Sequence, residues 1–139
     1  MPLTPELIDA YENADYVVFT DPELVLRIGE PSPRLDALLA AEGATAAAYL
    51  TAANPRSEPR TDAQNRSAGA TLDELLARSG YPRYAGEARD PESRRAAEAS
   101  VLVIGIYRAN AQALGRIFGQ NAIVFVEKGR APELVVLGT

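Results

Sequence analysis

The sequence predicts an α+β fold in which a mixed, mostly antiparallel sheet is covered by helices. Two observations predict it: β-rich runs that pair as hairpins near both ends of the chain, and helix-start signals that stand between those runs. Apolar residues make up 47% of the 139 positions, which is typical of a globular protein with a real core. The length fits one domain, residues 1–139.

Four helices are predicted from their start and stop signals. The clearest begins at Thr61, because Thr61-x-x-Gln64 matches a capping box, in which each side chain satisfies the other residue's backbone N–H. At Thr4 and at Ser32, a capping hydroxyl is followed by proline, which is the pattern of a helix N-terminus. The predicted helices begin at Thr4, run from Ser32 up to Gly43, run from Thr61 to Ser79, and cover 109–118.

The strands are predicted from runs of β-branched and aromatic residues. The first two runs flank a turn signal, Asp21-Pro22, and the last two flank Lys128-Gly129-Arg130, so each pair is typical of a hairpin. The predicted strands are 16–20, 23–29, 44–51, 101–107, 122–127 and 133–138.

Residues 81–100 leave two alternatives open. Asp90-Pro91-Glu92 can open a short helix, and the following ESRRAAEA is a good helix former. The same stretch, 90–98 in particular, also fits a loop that leads into the strand at 101–107. The predicted order of elements is therefore α, β, β, α, β, α, then strand or loop, β, α, β, β.

Composition excludes several kinds of chemistry. The chain has no cysteine and no histidine, so it lacks disulfides, thiolates and the commonest general base and metal ligand. Any catalysis must use carboxylates, tyrosines, hydroxyls, arginines or a bound cofactor, and the sequence identifies no cofactor. The acidic pairs lack metal-loop spacing, so no metal site is predicted.

Charge and hydropathy predict a cytoplasmic protein. No signal-peptide pattern opens the chain, and no apolar run approaches the ~18 residues that span a membrane. The net charge of −5 argues against nucleic-acid binding. The absence of cysteine suits a reducing compartment. The expected partner is a small molecule, and the oligomeric state is left open.

Hydrogen-bonding groups are concentrated in residues 51–65, TAANPRSEPRTDAQN. The segment joins a predicted strand end, where binding residues are commonly displayed, to a helix N-terminus, which attracts anions. Asn65 lies three positions before Ala68 and seven before Leu72, so its amide faces the apolar side of the helix. These groups predict a polar pocket. The alternative is that Asn54 and Asn65 tie down a long loop by bonding to backbone.

Two later segments offer polar groups to the same pocket. Glu98 stands near the start of a strand, where the alternative is a solvent-facing carboxylate, and Gln120 follows a helix end that it can also cap. Tyr81 and Tyr84 are candidates for the pocket walls, with simple packing as the alternative. Glu98 is the candidate catalytic residue, and the predicted ligand-binding residues are Thr51, Asn54, Arg56, Ser57, Arg60, Asn65, Ser100 and Gln120.

Four short motifs stand in order along the chain: Thr51-Ala52-Ala53-Asn54-Pro55, Gln64-Asn65, Glu98-Ala99-Ser100, and FGQNAI at 118–123. Together they resemble an uncharacterised bacterial family, domain of unknown function 3293, over roughly residues 15–127. The resemblance implies that the fold gathers these segments, and it implies no reaction. Ala53 stands where the family often has tryptophan, which predicts the loss of an aromatic wall. Ala97 and Ala99 reduce the acidic cluster expected around Glu98.

Three functions follow from these features. The first is a ligand-binding or regulatory domain that takes an anionic or amide-bearing ligand, such as a nucleotide or a carboxylate metabolite. The second is an enzyme in which Glu98 is the general base and Asn54, Asn65 and Gln120 polarise the substrate. It requires a Glu98 pKa raised by burial. The third is an interaction module or homodimer that pairs through an exposed strand at 133–138.

Overall fold

A computed structural model describes residues 3–137, which form four α-helices, seven strands and one short 3₁₀ turn. The helices are α1 (Pro5–Asn13), α2 (Pro33–Ala41), α3 (Asp62–Arg78) and α4 (Arg108–Ile117). The strands are β1 (Asp15–Val18), β2 (Leu24–Leu26), β3 (Ala46–Leu50), β4 (Arg83–Arg89), β5 (Glu98–Ile104), β6 (Ala122–Glu127) and β7 (Glu133–Val136). The 3₁₀ turn is Pro55–Ser57.

The seven strands form one sheet in the order β2-β1-β4-β5-β3-β6-β7. Every neighbouring pair in this sheet is antiparallel. The prediction of an α+β fold with a mostly antiparallel sheet is therefore confirmed. Both terminal hairpins are present, as β1–β2 and β6–β7, and position 138 of the last predicted strand lies outside the described residues.

The ambiguous stretch at 81–100 is a hairpin, not a helix. β4 pairs with β5, and the connection between them is a turn. The Asp90 carboxylate accepts the backbone N–H groups of Glu92 and Arg94, and Ser93 has a φ of 56°. Such a side-chain turn competes with a helical start, which explains why a helix-forming composition does not form a helix here.

The sheet buries both faces under helices. Along β3 the side chains alternate, as expected for a strand. Ala47 and Tyr49 join a cluster that includes Leu35 and Leu39 of α2. Ala48 and Leu50 face the opposite cluster, which includes Leu72 and Leu76 of α3 and Ala111 of α4. Among residues 3–137, no helix combines the length and apolar character that crossing a bilayer requires.

One tyrosine shows how strongly the sheet curls. The Tyr49 hydroxyl on β3 donates to the Val17 carbonyl on β1 at 2.7 Å, although β4 and β5 lie between these strands. Three strand spacings in a flat sheet are about 14 Å, which is beyond the reach of a tyrosine. Gly86 on β4 makes the approach possible, because a Cβ there would lie 2.0 Å from the Val17 carbonyl oxygen and 3.0 Å from the Tyr49 hydroxyl.

We predict that Gly86→Ala destabilises the protein by about 2–4 kcal/mol, since the added methyl displaces the Tyr49 hydroxyl and strains the β1–β4 pair. Urea denaturation measures the change. Gly69→Ala is the matched control, because nothing lies within 4 Å of its added Cβ on the exposed face of α3. The control should gain about 0.5–1 kcal/mol from helix propensity. Equal stability of the Gly86 variant and the wild type would contradict this account of the curl.

Candidate functional site

A cavity of about 440 Å³ opens beside the curled part of the sheet. Its walls come from separate parts of the chain: α1, the segment after β3, the β4–β5 hairpin, and the start of β6. Eight of the nine predicted site residues line it: Thr51, Asn54, Ser57, Arg60, Asn65, Glu98, Ser100 and Gln120. The ninth, Arg56, does not: its side chain is exposed, and its backbone N–H donates to the Gly119 carbonyl at 2.7 Å. Arg56 therefore does not line this cavity, and its role in ligand binding stays a prediction.

Asn54 and Asn65 form a reciprocal pair. The Asn65 Oδ1 accepts the backbone N–H of Asn54 at 3.0 Å, and the Asn65 Nδ2 donates to the Asn54 Oδ1 at 2.9 Å. Asn54 has a φ of 44°, a left-handed conformation that asparagine tolerates better than most residues. The pair thus fixes the sharp change of direction between β3 and the 3₁₀ turn.

The Asn54 amide continues this chain of hydrogen bonds to Glu98. Its Nδ2 donates to the Glu98 Oε2 at 2.8 Å, while its Oδ1 also accepts the backbone N–H of Arg60 at 2.9 Å. The two asparagines are thus already paired with protein groups. We infer that they tie down the loop, which is the structural role that the sequence left as the alternative, and that Asn54 also positions Glu98.

Glu98 is half-buried at the start of β5 and faces the cavity, so it is not the fully solvent-facing carboxylate of the alternative interpretation. Burial raises its pKa from the ordinary value of 4.5, and the Asn54 hydrogen bond and the nearby Arg95 charge oppose this rise. Among residues 3–137, Asn54 is the only hydrogen-bond partner of the carboxylate. The Oε1 atom therefore keeps its capacity to accept hydrogen bonds.

Thr51 and Gln120 hold the ends of β3 and β6 to the same loop. The Thr51 hydroxyl donates to the Ala99 carbonyl at 2.7 Å and accepts the Ala53 N–H at 3.0 Å. The Gln120 Nε2 donates to the Ala53 carbonyl at 3.0 Å. These groups line the cavity, but their hydrogen bonds brace its wall.

Two serines occupy the cavity wall near tyrosines. The Ser57 hydroxyl is 2.6 Å from the Tyr11 hydroxyl and accepts the Asn121 Nδ2 at 3.1 Å, so it joins α1 to the 51–65 segment. The Ser100 hydroxyl donates to the Glu98 carbonyl at 2.9 Å. Both serines contribute polar surface that is already engaged by the protein.

The N-terminus of α3 is closed by its own side chains. Thr61 accepts the Gln64 N–H at 3.1 Å, and the Gln64 side chain accepts the Thr61 N–H at 3.0 Å, which confirms the predicted capping box. Asp62, in the first turn, adds a negative charge that already complements the helix dipole. An anion in the cavity must therefore rely on side-chain cations more than on this helix end.

Three arginines line the cavity: Arg60, Arg89 and Arg95. Arg89 is held by Glu87 at 3.0 Å and by Glu23 at 3.4 Å. Within the described part of the chain, the side chains of Arg60 and Arg95 form no ion pair, and both are exposed. Sequence reasoning identified Arg60 but missed Arg95, because the loop that carries it was not recognised as the tip of a hairpin.

Tyr11, Tyr16 and Tyr49 form the aromatic part of the lining, whereas Tyr81 and Tyr84 do not line the cavity. The rings of Tyr16 and Tyr49 meet edge to face, with centroids 5.3 Å apart. Burial raises the pKa of both hydroxyls, which donate to backbone carbonyls and stay neutral. The period-two pattern of β1 and β3 was the available signal, because it places both rings on one face.

A family model supports the assignment of this region. The model described as "Protein of unknown function (DUF3293)" matches residues 50–123, more than half of the chain. The chain belongs to this family. The DUF3293 match contains all nine predicted site residues, and Tyr11, Tyr16 and Tyr49 precede it. The resemblance predicted from the four motifs is confirmed, whereas the bacterial origin stays a prediction. No curated protein and no solved structure matches the chain.

Ala53 is 5% exposed and does not line the cavity. The expected loss of an aromatic wall at this position stays a prediction. The aromatic surface of this cavity comes from the three tyrosines. Within residues 3–137, no group of three or more acidic side chains is placed to hold a metal ion.

We predict that Asn65→Leu lowers the free energy of unfolding by about 1–3 kcal/mol, because it leaves the Asn54 N–H without a partner in a half-buried loop. Asn110→Leu on the exposed face of α4 is the control and should change stability by about 0.5 kcal/mol or less. Chemical denaturation compares the variants. An Asn65 variant that melts like the wild type would show that the asparagine pair is not structural.

A pH-dependent difference in stability should show whether the pKa of the half-buried Glu98 is raised. Because the folded-state pKa of Glu98 is raised, its protonated form contributes stability that is present below about pH 4.5 and lost as the pH rises through the folded pKa. Glu98→Gln lacks this titration. The unfolding free energy of the variant minus that of the wild type should therefore increase between about pH 4 and about pH 7. A constant difference would mean that the Glu98 pKa is not raised.

Proposed function

We propose that the protein binds a small anionic ligand in the cavity beside Glu98. The observation that carries the proposal is the cavity itself, which joins tyrosine rings to two arginines, Arg60 and Arg95, that have no ion-pair partner among the described residues. Its volume of about 440 Å³ lies within the ordinary range of small-molecule sites. Such sites combine apolar walls with placed polar groups, and this cavity combines tyrosine rings with polar and charged side chains.

The arginines support an anion for a further reason. An arginine presents a planar set of donors that matches carboxylate and phosphate oxygens in a two-point contact. Arg60 follows the 3₁₀ turn, and Arg95 lies on the β4–β5 loop. The two arginines therefore come from separate segments of the chain and line the same cavity. The tyrosines offer flat apolar surface to the body of the ligand. Nucleotides and carboxylate metabolites combine both features.

The experiment is a thermal-shift screen with nucleotides and small carboxylates, followed by calorimetric titration of each ligand that raises the melting temperature. We predict that Arg95→Gln and Arg60→Gln each weaken binding about tenfold or more, because a charge-assisted hydrogen bond is lost. Arg116→Gln, at the exposed end of α4, is the matched control and should bind like the wild type.

Two results would contradict the proposed function. The first is a screen in which no nucleotide or carboxylate shifts the melting temperature. The second is a ligand whose affinity is the same in both cavity arginine variants as in the wild type. Melting temperatures of the variants without ligand distinguish a loss of binding from a loss of folding.

An enzyme is the second candidate, and one observation favours it. Glu98 is half-buried in the cavity with a raised pKa, as a carboxylate general base requires. The supporting roles that the sequence suggested are less well supported, because the amides of Asn54 and Gln120 already donate to protein oxygens. In this version Arg60 and Arg95 polarise the substrate. Glu98→Gln would then keep ligand binding and lose turnover of the bound molecule.

The interaction-module interpretation stays a prediction. β7 is an edge strand, and Val136 on it is 45% exposed, which leaves a free edge for pairing with another chain. A cytoplasmic location is part of the proposal and is supported by the absence of cysteine. The net charge of −5 supports a small anion recognised at local arginines over a nucleic acid.

A further inference from the structure

We infer that the ligand is an aminated anion, with N–H donors that bind Glu98 and a negative group that binds Arg60 and Arg95. This inference deepens the proposed function and rests on it. It narrows the ligand class from small anions in general to anions that also carry an amine, amidine or amino-substituted ring.

The unused acceptor in the cavity is the first reason. The Asn54 amide fixes Glu98 through Oε2 at 2.8 Å, and no described residue donates to Oε1. A half-buried carboxylate is stabilised by donors, and water alone satisfies it poorly when a ligand covers the cavity. A ligand with N–H donors supplies them, whereas a ligand that presents only oxygen atoms does not.

The neighbouring amides cannot replace Glu98 in this role. Asn65 uses its Oδ1 and Nδ2 on Asn54, and the Asn54 Oδ1 accepts from Asn65 and from the backbone of Arg60. The Gln120 Nε2 donates to two backbone carbonyls, of Ala53 and Phe118. Of the other carboxylates that line the cavity, Asp62 is exposed and Asp90 accepts two backbone N–H groups. Glu98 is therefore the half-buried carboxylate with an unused acceptor, and the asparagines hold it in place as positioning residues.

The distribution of charge is the second reason. Glu98 lies at the start of β5, and Arg95 lies in the exposed loop that precedes it, close enough for its charge to act on Glu98. An anion without donors would gain from the arginines but would lie near the Glu98 charge, which repels it. An anion with an amino group gains from both ends. The cavity thus favours molecules with two unlike ends.

The test uses two pairs of probes that differ only by an amino group. Guanosine 5′-monophosphate is compared with inosine 5′-monophosphate, and aspartate with succinate, by calorimetric titration of the wild type, Glu98→Gln and Glu42→Gln. Glu42 is exposed at the end of α2 and lies outside the cavity, so its variant is the matched control. The melting temperature of each variant checks that it folds.

In the pair that binds, we expect the aminated member to bind about tenfold or more tightly. The preference should fall below about threefold in Glu98→Gln and persist in Glu42→Gln. If the nucleotide pair binds, the ligand class is a nucleotide. If aspartate and succinate bind, the ligand class is an amino-dicarboxylate.

Each other outcome overturns a defined part of the account. Equal affinity within a pair that binds overturns this inference and leaves the proposed anion site intact. A preference that survives in Glu98→Gln overturns the role of Glu98. Failure of all four probes to bind at millimolar concentration contradicts the proposed function and this inference together.

Discussion

The hydrogen-bonded pair of Asn54 and Asn65 is the interaction on which the candidate site depends. It joins the segment after β3 to the first turns of α3, and it holds Asn54 in a left-handed conformation. From that position the Asn54 amide reaches Glu98 on β5. Three segments that are distant in sequence therefore meet through two side chains. Without Asn54, Glu98 has no hydrogen-bond partner among the described residues.

The residues that build the cavity differ from those that can still bind a ligand. The side chains of the two asparagines, Thr51 and Gln120 form hydrogen bonds with other protein groups. Glu98 and the arginines 60 and 95 keep the capacity to bind something else. The sequence does not distinguish these two groups of polar residues. The structure shows that the first group holds the cavity wall together and that the second group consists of charged side chains. In the proposed function, these unlike charges of one cavity recognise the ligand.

Local sequence signals predicted most of the fold, because their physics is local. The capping box at Thr61 and the serine–proline start at Ser32 require only neighbouring atoms, and both are present. The motifs around Asn54 and Glu98 indicated which segments meet. The β4–β5 turn was not predictable from helix propensity, since the Asp90 side chain and strand pairing override it. The period-two pattern places Tyr16 and Tyr49 on one face of the sheet, but their meeting beside one cavity was not predictable, because it arises from a curl that Gly86 permits across three strands.

The most direct test of the account is an NMR titration of the side-chain amide of Asn54. Its Nδ2 donates to Glu98, so its signals should shift as that carboxylate titrates, with a midpoint above 4.5. In Glu98→Gln the same signals should show no such transition, while those of Asn110 on the exposed surface serve as a reference. Asn54 signals that ignore pH, or that titrate identically in the variant, would contradict the claim that the asparagine pair holds Glu98 in the cavity.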